Sequence, residues 1–194
     1  MADDLVELAR SNREMMVGAR TFDDACAGLR RALATGPETR TIRIMIDPTN
    51  TEVAPWLAAA RAATPEIRGL MVQGFFARML CRAGYNVVVG SELDIFAKSR
   101  IRSLFVEVKS SLAGGRFGSR AGIRQLDGYL TASERRRAER WLGTMGLNKP
   151  IELRDVFKAE LRTRNIGHID IWWASPEEML LSQLHSVSQR DPAR

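Results

Sequence analysis

The chain has 194 residues, 45% hydrophobic and 27% charged, which suits one globular domain with a real core and leaves too little for a second full one. No run approaches the ~20 apolar residues of a membrane span, and the opening MADDLVELARSNRE is acidic, without the basic start and apolar stretch of a secretory signal, so a cytoplasmic protein is expected. The formal net charge of +6, carried mostly by arginine, favours a polyanionic partner.

The two cysteines, Cys26 and Cys81, lack CxxC spacing, and His168 and His185 are the only histidines, too few ligands for a zinc site. Any catalysis therefore falls to carboxylates, lysine or hydroxyls.

In chain order, Leu5, Leu8 and Ala9, then Phe22, Ala25, Cys26, Leu29 and Leu33, recur at helical spacing and predict helices over 3–34, interrupted near Gly18. Ile42, Ile44 and Ile46 alternate with Arg43 and Met45, a strand ending at Asp47-Pro48, and an Ala-rich helix follows at 53–63. Thr64 as N-cap, Pro65 in the first turn and Glu66 beside the positive helix end open a long central helix that Gly84 closes. YNVVVG, residues 85–90, has the β-branched run of a buried strand. Beyond residue 111 the chain turns Gly-rich and basic, then reads as helical through IRQLDGYLTASERRRAERWLG and again at 151–162. HIDIWW is a late strand, and Ser175-Pro176-Glu177-Glu178 is a capping box opening a last helix before a frayed tail. There is no internal repeat or low-complexity linker.

Chemistry concentrates in GSELDIFAKSRIRSLFVEVKSS, residues 90–111. Strand alternation puts Leu93, Ile95, Ala97, Leu104, Val106 and Val108 on one face, and Asp94, Phe96, Lys98, Phe105, Glu107 and Lys109 on the other. With Ser99 to Arg102 as the turn, facing residues have numbers that sum to 201, which sets Asp94 opposite Glu107. Like charges at the ~5 Å of facing Cβ atoms repel unless a cation lies between them. Asp94, Glu107 and the Val108 carbonyl make an oxygen site suited to Mg²⁺ or Mn²⁺, with Lys109 beside it to orient water or stabilise developing charge. The same residues also fit a solvated face with ordinary cross-strand pairs, against which Phe96 and Phe105 argue.

At these residues the chain resembles the PD-(D/E)xK nuclease superfamily, particularly members similar to Holliday-junction resolvases and restriction endonucleases. The matches are Asp94 in SELDIF and Glu107-Val108-Lys109 in VEVKSS, with LCRAGYNVVVG as the end of the first helix and first strand, and Gln125 in IRQLDGYL matching a Gln often found in the following helix. The resemblance covers about residues 64–174. It implies an α/β fold, a restriction-endonuclease-like core with a mixed central sheet flanked by helices over 64–186, preceded by an N-terminal helical extension with one strand over 1–63 and followed by the tail at 187–194. It also implies a Mg²⁺- or Mn²⁺-dependent deoxyribonuclease acting on DNA, working as a homodimer if the substrate is a junction or duplex site. Asp94, Glu107 and Val108 would hold the metal, Lys109 would assist attack, and Gln73 and Gln125 would support the site.

One departure stands out: many members carry a Glu where Gln73 stands. Leu70, Gly74, Ala77 and Leu80 are expected around Gln73 on the apolar helix face, pointing it at the hairpin. Glu66 lies about 10 Å up the helix, where favouring the helix N-terminus is its expected role, and Glu92 has the opposite strand parity, a poor substitute unless the strand bulges there. The alternatives are a nuclease-fold module that binds DNA with weakened cleavage, and an assembly protein with an incidental basic surface.

Arg116, Arg120 and Arg124 in GGRFGSRAGIR, after Ser110 and Ser111, are the candidate DNA-backbone contacts. ERRRAER, residues 134–140, reads as a solvated helix face, Trp172 and Trp173 as cover for the core edge, and His168 with Asp170 as a structural polar pair.

Overall fold

The computed structural model describes residues 13–36, 39–90, 94–117, 121–128 and 138–188. The helix expected over residues 3–12, Glu92 and Leu93, Arg120, the start of ERRRAER and the tail from residue 189 lie outside the described residues. Among those described, no helix is long and apolar enough to cross a membrane.

The fold is α/β, with a mixed seven-stranded sheet flanked by helices. Its elements are β1 (Arg13–Ala19), α1 (Phe22–Ala34), β2 (Thr39–Ile46), α2 (Ala54–Ala62), α3 (Pro65–Arg82), β3 (Asn86–Val89), β4 (Ile95–Lys98), β5 (Ser103–Ser111), β6 (Gly115–Phe117), α4 (Ala121–Gly128), β7 (Glu139–Gly146), β8 (Ile151–Leu153), α5 (Asp155–Thr163), β9 (Ile166–Trp173) and α6 (Pro176–Ser188). The sheet order is β1-β2-β9-β7-β5-β4-β3, and β6 and β8 form a separate pair. Contacts from β1 through β5 are parallel, and β4 is antiparallel to both β5 and β3.

Local chemistry sets the helix ends. Thr21 and Asp24 exchange side chain-to-backbone hydrogen bonds in a capping box, as do Ser175 and Glu178. Thr64 caps α3 by accepting from the Ile67 N–H, and Gly84 follows that helix with φ +98, a backbone that favours glycine.

One face of the sheet presents Ile42, Ile44, Ile46, Ile95, Ala97, Leu104, Val106, Trp141, Ile169 and Ile171, all fully buried beneath α1, α2 and α3. Residues 13–63 thus add two strands and two helices to the same sheet and core. Gly143 on β7 lets α3 sit close, because a Cβ there would come within 2.9 Å of the Phe76 ring. On the other face, Leu142, Ile166 and Phe105 pack with Ile123 and Leu126 of α4 and Phe157 and Leu161 of α5. At the amino ends of the parallel strands, Arg102 binds Glu139 through two bonds of 2.6 and 2.7 Å and also donates to the Leu33 carbonyl, tying β5 to β7 and α1.

Four expectations need correction. Residues 13–19 form a strand, where helical spacing predicts a helix: β1 pairs in parallel with β2, and that pairing outweighs the helix propensity of its Met and Ala residues. Residues 139–143 belong to strand β7, because the centre of the sheet must be filled between β5 and β9. The helix expected over 151–162 begins only at Asp155, after the short strand β8. Finally β3 is no buried strand: among the described residues it is the sheet's edge, with Val88 62% and Val89 52% exposed.

A buried polar row crosses the second face. Thr144 donates to Asp170 Oδ1 at 2.6 Å, so its oxygen is left to accept from His168 Nε2–H at 2.8 Å. Arg43, stacked on Trp172, lies 3.8 Å from the other Asp170 oxygen. Burial pushes the Asp170 carboxyl up to about 6, against the pull of Thr144 and Arg43, and lowers His168 to about 3. The polar pair anticipated from HIDIWW is therefore a cluster of four, and Thr144, one residue beyond the segment read as helix, completes it.

An Asp170 carboxyl titrating above its unfolded value of 3.8 binds more protons folded than unfolded, so its contribution to stability falls as pH rises from about 4 to 6. Asp170→Asn keeps the acceptor for Thr144 and removes that slope. Urea unfolding should show the variant gaining on wild type between pH 4.5 and pH 7, by on the order of 2 kcal/mol.

Candidate active site

The hairpin folds in the register read from its sequence. Ile95 faces Val106, Phe96 faces Phe105, Ala97 faces Leu104 and Lys98 faces Ser103, every pair summing to 201. Phe96 and Phe105 stack with centroids 4.9 Å apart, covering the face that carries the charges.

Asp94 sits just ahead of β4. Its Oδ2 accepts from the Val108 N–H at 2.7 Å, continuing the β4–β5 connection one step beyond the strand ladder. In a strand the N–H and C=O of one residue point to the same side, so the Val108 carbonyl is aimed at the same edge as Asp94. Glu107, next along β5, is 1% exposed, and its Oε1 accepts from Lys109 Nζ at 2.6 Å. Its Oε2 is buried with no hydrogen-bond partner. Burial pushes the Glu107 carboxyl up to about 6; the Lys109 bond pulls it back and the Asp94 charge raises it further. Two carboxylates and an ammonium do converge here.

Gln73 reaches the site from α3. Its amide nitrogen donates to the Asp94 backbone carbonyl at 2.9 Å and to Asp94 Oδ1 at 3.2 Å, so both carboxylate oxygens of Asp94 are held by donors. The surroundings expected for Gln73 need correction: its buried neighbours along the helix are Val72, Phe75, Phe76, Met79 and Leu80, whereas Leu70 is 68% exposed and Gly74 faces outward. The apolar face of α3 is turned toward α1 and α2, where Phe75 meets Phe22 and Trp56.

Gln125 lies half-buried on α4, which packs on β5 and β7, and its side-chain oxygen is a second buried acceptor with no partner. Ser110 and Ser111 end β5 opposite Met145 and Gly146 and are half-buried. The Arg116 backbone lies on β6, paired with Glu152, while its side chain and all of Arg120 lie outside the described residues; Arg124 is exposed on α4. The structure therefore brings Gln73, Asp94, Glu107, Val108 and Lys109 together, and carries Arg124 on an exposed helix surface.

Among the described residues no group of three or more acidic, His or Cys side chains could hold a metal. The oxygen donors available are Asp94, Glu107 and the Val108 carbonyl, and the unpartnered Glu107 oxygen is one that a proton or a cation would satisfy. Comparison with protein-family models, with curated proteins and with solved structures finds no match for the chain.

The Gln73 geometry makes a prediction. Gln73→Glu replaces a donor by an acceptor facing two acceptor oxygens of Asp94, and should lower apo stability by about 1–3 kcal/mol. Mn²⁺ should then raise the melting temperature of the variant more than that of wild type, which differential scanning calorimetry reads directly.

Proposed function

We propose that the chain is a divalent-metal-dependent deoxyribonuclease of the PD-(D/E)xK type, hydrolysing phosphodiester bonds of DNA. The observation that carries this reading is the Glu107 carboxylate, buried with one oxygen unpartnered, beside Asp94 and in contact with Lys109. Such a carboxylate is costly to bury unless a cation completes it.

The order of elements lends support. An α3 helix, the β3-β4-β5 meander, the α4 helix and the β7 strand parallel to β5 follow the succession of a restriction-endonuclease-like core, with Asp94 before the turn and Glu107-Val108-Lys109 after it. The exposed Arg124 and the net charge of +6 suit a phosphate backbone.

Asp94, Glu107 and the Val108 carbonyl would hold Mg²⁺ or Mn²⁺. When bound, the ion supplies Lewis-acid stabilisation of phosphoryl charge and makes water more acidic. Lys109, fixed by Glu107, keeps an ammonium at the site to orient a water or a phosphate oxygen. Gln73 holds Asp94 in place through its backbone and side chain, and Gln125 offers a neutral acceptor.

A second reading, a nuclease-fold module that binds DNA with weakened cleavage, is favoured by one observation: Gln73 presents N–H to Asp94 instead of a third anionic oxygen to a metal.

Nicking of linear, single-stranded and four-way DNA with Mg²⁺ or Mn²⁺ separates the two readings. Wild type should nick in a metal-dependent way, and Asp94→Ala and Glu107→Gln should lose both nicking and calorimetric Mn²⁺ binding while melting cooperatively. DNA binding without nicking supports the second reading, and unchanged Mn²⁺ affinity in both variants removes the site.

Replacing Arg116, Arg120 and Arg124 with Ala should weaken DNA binding evenly across sequences. The salt dependence should flatten by about 0.9 log unit per lost phosphate contact, measured by fluorescence anisotropy over a salt series.

A further inference from the structure

β5 and β7 end side by side, Ser111 opposite Gly146, and the two loops that leave them close on each other. Leu147 N–H donates to the Ser111 carbonyl at 2.9 Å, Asn148 N–H to the Leu112 carbonyl at 3.2 Å, and Gly115 N–H to the Pro150 carbonyl at 3.1 Å. Arg61 of α2 donates twice to the Leu147 carbonyl, at 2.8 and 3.1 Å, and the Leu147 side chain is buried in the core beneath α1, α2 and α3.

The tightest point is Lys149. Its carbonyl lies where a Cβ of Gly146 would stand, and equally where a Cβ of Gly114 would, and Gly114 has φ +66. Two glycines in different loops thus make room for the same peptide group. The backbone of residues 146–150 is tied down along its length, yet Asn148, Lys149 and Pro150 are all exposed. Among the described residues no carboxylate pairs with Lys149. The loop therefore presents an ammonium from a fixed point.

That point adjoins the candidate site. Strand alternation and register put Leu142, Thr144 and Gly146 on the face that carries Glu107, Lys109 and Ser111, so the Lys149 peptide, seated over Gly146, stands on that same face. Gly146 is two residues, about 7 Å, further along the strands than the Lys109–Thr144 pair. Phosphates recur about every 3.4 Å of axis along one DNA strand, so this offset corresponds to one or two nucleotides.

We propose that Lys149 is a positioning residue for DNA, its ammonium holding a backbone phosphate one or two nucleotides from the phosphodiester presented to Glu107 and Lys109; the inference rests on the nuclease reading. A lysine suits the task as a compact point charge, which responds to phosphate and not to sequence. Its role differs from that of Lys109, which Glu107 fixes at the reacting centre. Lys149 touches no reacting atom and acts by setting where the strand lies.

Fluorescence anisotropy of labelled duplex DNA in EDTA reads binding without cleavage. Lys149→Ala should weaken binding about five- to tenfold and flatten its salt dependence by about 0.9 log unit, one phosphate contact, whereas Lys149→Arg should stay within about twofold of wild type. Arg31→Ala, which removes the same charge from the exposed last turn of α1, should change neither. With Mn²⁺, Lys149→Ala should raise KM for nicking by a similar factor and leave kcat within about twofold. Its circular dichroism melt should superimpose on that of wild type, because an exposed, unpaired side chain carries little stability. Wild-type affinity and salt slope in Lys149→Ala, or a Lys149→Arg as weak as Lys149→Ala, overturn this proposal and leave the nuclease reading standing. A wild type that neither binds nor nicks DNA overturns both, and the binding comparison still decides for Lys149 where the wild type binds without nicking.

Discussion

The site turns on a carboxylate, Glu107, that is buried with only one of its two oxygens satisfied. Desolvating a charge costs several kcal/mol, and a single Lys109 contact on the other oxygen does not cancel it. The fold accepts that cost because Glu107 is locked from three directions. β5 runs between β4 and β7, Phe105 on the same face packs on Phe96, and Asp94 crosses from the head of β4 to take the Val108 N–H. A side chain free to rotate would move its charge to water; this one is 1% exposed at its sheet position.

The rest of the molecule supports that position. α3 comes close to the sheet over Gly143, which brings Gln73 within reach of Asp94. The Arg102–Glu139 pair joins β5 to β7 at the opposite end of the strands, so the register that fixes Glu107 is held at both ends. From Lys109 the polar character continues across the sheet: Lys109 faces Thr144, Thr144 faces Asp170, and Asp170 faces Arg43 in successive strand pairings. A row of hydrogen-bonding groups at one level of the sheet limits any slip of the central strands, since a one-residue shift would bury each of them against an apolar neighbour.

Much of the site was legible in the sequence because it depends on local rules. Strand alternation and turn placement in residues 90–111 are decided by short-range pairing, and the facing pairs from Ile95–Val106 to Lys98–Ser103 came out as read, as did the N-cap and first-turn Pro of α3; Asp94 lies just outside that ladder. What the sequence hid depends on neighbours far along the chain. ERWLGTMG contains one β-branched residue and two glycines, and becomes a strand because β5 and β9 need a partner between them. REMMVGA likewise extends the sheet by pairing with β2. The valines of β3 read as buried because composition cannot distinguish a core strand from an uncovered edge.

Gln73 brings the energetic argument to its sharpest point. A third carboxylate in its place would face Asp94, itself beside Glu107, and the fold without metal would have to protonate one of the three or lose the packing of α3. The amide avoids this by donating to Asp94, satisfying two acceptors and adding no charge. It therefore stabilises the site in the absence of a cation, and the same donor geometry subtracts one anionic oxygen from whatever the site can offer a cation. A stable metal-free fold and metal binding of the proposed kind would make opposite demands on position 73, and this chain carries the residue that serves the first.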